Sequence, residues 1–97
     1  MRYLVVDGMM SGTGVRDKHS AKYLKLSELN LSESLVTAIS GWLEEYRQAH
    51  YTDFSDPLVV SRLDQQGKEI CSQIKREVEA CKVEYYSDAL GKRYLIP

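Results

Sequence analysis

The chain has 97 residues, 43% hydrophobic and 28% charged, with 13 Lys and Arg against 14 Asp and Glu. That length fits one domain, residues 1–97, without room for a second independent core, and the composition is that of a globular rather than a disordered chain. A formal charge of -1, with no Lys/Arg run longer than two residues, weighs against direct nucleic-acid binding.

Arg2-Tyr3-Leu4-Val5-Val6 is rich in β-favouring residues and ends at the turn signal Asp7-Gly8, which predicts a short inner strand. The same run is too short to span a membrane and lacks a small-residue cleavage site, so the sequence predicts no membrane association and a cytoplasmic location. From Gly8 to Asn30 no period holds, and a long ordered loop is expected, with a short turn near Ser27-Glu28-Leu29.

Within that loop, DGMMSGTGVRD (residues 7–17) has the glycines of a phosphate cradle but not their spacing. Three residues rather than four separate Gly8 from Gly12, no Lys-Ser/Thr pair follows, and Asp17 stands where a dinucleotide fingerprint needs its third glycine. A turn whose side chains touch a partner is the preferred reading, with Arg16 and Asp17 its most reactive polar groups. Ser11 or Ser20 can be drawn with His19 and Asp17 as a hydrolytic set, but adjacency in sequence says nothing about triad geometry. His19 and His50 are the only histidines, and no Cys-x-x-Cys or His-x-x-x-His pattern occurs. No catalytic residue, metal or cofactor is therefore expected.

Ser32 reads as a helix N-cap, with Leu31 and Val36 placed for a hydrophobic staple and Glu33 at the positive helix end. Leu35, Ile39, Trp42, Leu43 and Tyr46 recur at helical steps, predicting an amphipathic helix of about four to five turns. His50, at its end, suits the negative terminus when protonated. Tyr51 to Pro57 breaks the pattern, and Ser55 or Asp56 before Pro57 opens a second helix. Val59, Leu63, Ile70, Ile74 and Val78 carry that helix to about Ala80. One helix, bent or closely packed at Gly67, is favoured over a break there, although glycine costs about 1 kcal/mol relative to alanine. Cys71 and Cys81, ten residues apart in this stretch, would be roughly 15 Å apart along a helix axis, too far for a disulfide. Reduced thiols fit a reducing compartment.

Lys82 to Tyr86 and Arg93 to Ile96 read as a hairpin, with Gly91 at a positive-φ position of the turn. The expected fold is α/β in the α+β sense: two helices on one face of a small, mainly antiparallel three-stranded sheet, in the order β-α-α-β-β. The first strand can pair with the strand at Val83. Glu44, Glu45, Asp53, Asp56 and Asp64 gather carboxylates at the helix connection and the adjoining helical surfaces. Caps and a solvated face explain such residues, yet they can also steer a basic partner. Seven tyrosines against one phenylalanine suit half-buried sheet faces and interfaces.

SGTGVRD from Ser11, LSESL from Leu31, WLEEY from Trp42, HYTDF from His50, LDQQGKEI from Leu63 and VEYYSDA from Val83 together extend over most of the chain. In these motifs the sequence resembles small bacterial immunity proteins of polymorphic toxin systems, including contact-dependent growth inhibition. The resemblance implies a cytosolic non-enzyme that binds the C-terminal toxin domain of a cognate system and covers its active site or substrate approach, nucleases being among the toxin types it suggests. It carries over no binding residue. The partner-binding candidates are thus those chosen from their chemistry: Arg16, Asp17, Glu44, Glu45, Asp53, Asp56 and Asp64. The alternative from another class is a small nucleotide-binding regulator or enzyme that uses the Gly8 to Asp17 loop.

Overall fold

β-Branched and leucine residues at positions 4 to 6 form the middle of strand β1 (Arg2–Asp7), and the computed structural model, which describes residues 1–97, places it inside a four-stranded sheet. The other elements are β2 (Val15–Asp17), α1 (Glu33–Tyr51), α2 (Pro57–Glu77), β3 (Cys81–Ser87) and β4 (Lys92–Ile96), with a 3-10 turn at Leu26–Leu29. The strand order is β2-β1-β3-β4. β1 runs parallel to β3, with Leu4 opposite Val83 and Val6 opposite Tyr85, while β2 and β4 add antiparallel edges.

Two helices on a small sheet are as expected, and so is the pairing of the first strand with the strand at Val83. The expected three-stranded, mainly antiparallel sheet is corrected to a four-stranded mixed one. The difference arises in β2, three residues inside the glycine-bearing stretch, which pairs Val15 with Val6. It is one extra reversal of chain direction, and with it the return through α1 and α2 delivers β3 parallel to β1 rather than antiparallel. A parallel pair needs a long crossover, and the two helices supply it.

Both helices begin where local chemistry satisfies their free N–H groups. Ser32 Oγ accepts the Leu35 N–H at 3.3 Å. Asp56 Oδ1 accepts the Leu58 N–H at 3.0 Å, and Pro57 occupies the first turn. α2 is uninterrupted at Gly67, because a side chain there would collide with the ring of Tyr85 and glycine lets the helix sit directly on β3. The helix ends at Glu77, so Cys81 opens β3 instead of closing a helix, and both cysteines are free thiols.

Side chains alternate across the strands. Leu4, Val6, Val83 and Tyr85 face the helices and join Ile39, Trp42, Tyr46, Leu63 and Ile74 in the core. Trp42 donates its indole N–H to the Leu63 carbonyl at 2.8 Å, tying α1 to α2. Tyr3, Val5, Arg16, Lys82, Glu84, Arg93 and Leu95 alternate onto the opposite face of the sheet, where Val5 is buried and Arg93 and Leu95 are exposed. No helix is long and apolar enough to cross a membrane.

Candidate functional site

Most of the seven expected partner-binding residues have work inside the fold. Arg16 Nε donates to Asp7 Oδ2 at 2.8 Å. Partial burial opposes the Arg16 charge, but the Asp7 hydrogen bond and charge more than offset it and raise the guanidinium pKa. Asp17 Oδ2 accepts the Ser20 N–H at 2.7 Å, and this bond holds the Asp17 carboxyl below its ordinary range. Glu44 pairs with Arg47 at 3.3 Å and Glu45 with Arg62 at 2.5 Å, both on the solvated helix surface. Asp56 caps α2. Asp53, in the α1-α2 turn with φ 53, is the one carboxylate of the group without an intramolecular side-chain bond.

Asp64 corrects the expectation most sharply. It is only 6% exposed, accepting the Tyr85 hydroxyl at 2.6 Å and the Ser87 hydroxyl at 2.8 Å. It faces β3 rather than solvent, so it joins the two layers and offers nothing to a partner surface.

A second polar cluster lies at the carboxyl ends of the parallel strands, where ligands of open α/β sheets bind. Buried Asp7 accepts hydrogen bonds from Arg16, from the Tyr23 hydroxyl at 2.6 Å and from the Met9 N–H at 3.3 Å. Burial, then bonding to Asp7, pushes the Tyr23 phenol up. Asp88, just past β3, has a side chain 11% exposed and receives only a distant contact from His50 Nε2 at 3.8 Å. Burial first, and the Asp7 charge second, push the Asp88 carboxyl up to about 6, while His50 and Arg16 pull the other way. His50 Nε2 also lies 2.9 Å from the Gly8 carbonyl. Sequence reasoning gave His50 a role at the helix end and missed this contact with the loop.

Asp7, Arg16, Tyr23 and Asp88, with Met9 and Tyr86, line a shallow concavity of about 230 Å³. Two carboxylates there oppose a phosphate, and the only guanidinium is already engaged by Asp7. A side chain at Gly8 would meet the Tyr46 ring, and one at Gly12 the Tyr23 ring. The glycines of the opening loop thus make room for the protein's own aromatics. No group of three or more His, Cys, Asp and Glu side chains is arranged to hold a metal ion.

The two layers differ in charge. Residues 26–80, which contain both helices, carry ten acidic and five basic side chains, whereas the strands and the first loop carry four acidic and eight basic. Near the α1-α2 turn, Tyr51 is 69% and Leu58 80% exposed, apolar contacts beside Asp53 and Asp56. Between the helices runs an outward-facing groove of about 420 Å³ over Leu35, Trp42 and Ile70. Nothing in the apolar periodicity of the sequence drew attention to this groove.

Comparisons with protein-family models, with curated proteins and with solved structures find no match to the chain.

Proposed function

We propose that the chain is a cytoplasmic immunity protein that binds a cognate toxin domain through its helical layer and blocks it without chemistry of its own. The supporting observation is the segregation of charge: an acidic helical layer beneath a net charge of only -1. Such a surface favours encounter with a basic partner and disfavours acidic ones. Exposed Tyr51 and Leu58 add apolar contact area beside the carboxylates. A nuclease fits this surface best among toxin types, because its substrate cleft is basic and carboxylates can stand where phosphates would lie.

The test mixes the purified protein with the toxin domain encoded beside it. A stoichiometric complex, loss of toxin activity at equimolar protein, and growth protection on co-expression are expected. Absence of both binding and protection would refute the reading.

A further inference from the structure

Five of the six glycines have a structural reason in the fold, and Gly41 does not. Gly8, Gly12 and Gly67 each lie against a tyrosine ring, while Gly14 and Gly91 have positive φ. Gly41 sits inside α1 with helical backbone, and a side chain there would meet nothing within 4 Å. A glycine in a helix interior weakens it relative to alanine. Its remaining physical use is to let another backbone come close.

Gly41 borders the interhelical groove, with Ser34 and Ala38 on the same side of α1 and Gln66 and Gln73 across from them on α2. The groove has an apolar floor, and its only charged lining residues are Glu45 and Glu69. Arg62 balances Glu45, but Glu69 has no cationic partner, only the Gln65 amide at 3.4 Å. The groove is therefore apolar below, small-sided along α1 and negative at Glu69 on its α2 rim. A third helix can pack there at the close end of the usual 8–10 Å spacing, about the distance that small contact residues permit. A second copy of this chain is a poor occupant, because its helices carry the same acidic excess.

We infer that the α1-α2 groove docks a basic amphipathic α-helix of the partner protein, with its backbone close to Gly41 and a Lys or Arg side chain directed at Glu69. Only the identification of that partner as a toxin rests on the proposed function. Helix-in-groove recognition of this kind joins apolar anchors to a charged rim.

The test uses Gly41→Arg, which fills the groove, adds a like charge to the occupant, and replaces glycine with a better helix former. Its melting temperature should equal or exceed that of the unmodified protein, and Glu69→Lys should also stay folded. If the groove is the site, toxin-domain affinity falls about tenfold or more in both variants. Equal toxin binding by the unmodified protein and Gly41→Arg overturns the groove while leaving the immunity reading intact.

If the unmodified protein does not bind the toxin domain, the immunity reading fails and a synthetic peptide decides the groove. The probe is a Leu/Ala/Lys amphipathic helix of about 18 residues, long enough to be helical when docked. Trp42 is the only tryptophan and lies in the groove floor, so its fluorescence reports occupancy. A saturable change that Gly41→Arg abolishes upholds the inference, and no change overturns it. A concentration-dependent dimer that Gly41→Arg disrupts would also overturn it, in favour of self-association.

Discussion

The helical layer and the sheet carry charge of opposite sign. On the sheet face, charges are drawn into local contacts: Arg16 with Asp7, Lys18 Nζ 2.8 Å from Glu84 Oε2, and Lys18 and Lys82 at 5.8 and 5.9 Å from the Tyr3 ring centre. On the helical layer, acidic residues outnumber basic ones, and Glu69 borders a groove without a cation. The strands and first loop keep a basic excess of eight to four, part of it held by Asp7 and Glu84, and the helical layer an acidic excess of ten to five. A near-neutral chain can thus present a strongly signed surface, provided secondary structure sorts the residues.

The layers are joined at Asp64, and breaking that joint should have the largest effect. Asp64→Ala strands the Tyr85 and Ser87 hydroxyls in the core and should lower unfolding free energy by about 3 kcal/mol in urea titration. A loss below about 0.5 kcal/mol would mean the junction is held elsewhere.

The next contrast sets two helical glycines against each other. Gly67→Ala forces a methyl group into the Tyr85 ring and should cost about 2 kcal/mol. Gly41→Ala meets open space and should gain up to about 1 kcal/mol. Opposite signs from the same substitution would mark the covered and uncovered sides of the helical layer; matching signs would remove the distinction.

A smaller effect comes from the carboxyl end of the sheet. The folded-state pKa of Asp88, about 6, lies above its ordinary value of 3.8, so the folded protein binds this proton more tightly than the unfolded chain. Stability therefore falls as pH rises between those two values and stays lower above them. Asp88→Asn should raise stability at pH 7.5 by about 1 kcal/mol after solvent screening, and give no gain at about pH 3.5. Thermal unfolding of both proteins across this range checks the sign. Least of all, Arg62→Ala should change stability by less than about 0.5 kcal/mol, because its pair with Glu45 is solvent-exposed.

What could be read from the sequence was local. Ser32, Asp56-Pro57 and Gly91 announce their caps and turn within a few residues, and the structure uses each as expected. β2 could not be read in the same way, since three residues establish no period and their pairing depends on β1. With β2 in place β3 runs parallel to β1, which makes the sheet mixed rather than mainly antiparallel. Asp64 looked like another solvated carboxylate because its partners, Tyr85 and Ser87, lie 21 and 23 residues further along. The charge split needed the layers to be known first. The groove did have a sequence signal: Ser34, Ala38 and Gly41 recur at helical steps, but a search for apolar periodicity passes over small residues.

The most direct test of the central claim is the affinity of two charge-reversed proteins for the proposed partner, a cognate toxin domain, measured by calorimetry at one salt concentration. One carries Glu45→Lys and Glu69→Lys on the helical layer, the other Lys82→Glu and Arg93→Glu on the sheet face. The helical-layer variant should bind about tenfold or more weakly, and the sheet variant within about twofold of the unmodified protein. The reverse order would contradict the assignment of the helical layer as the binding face.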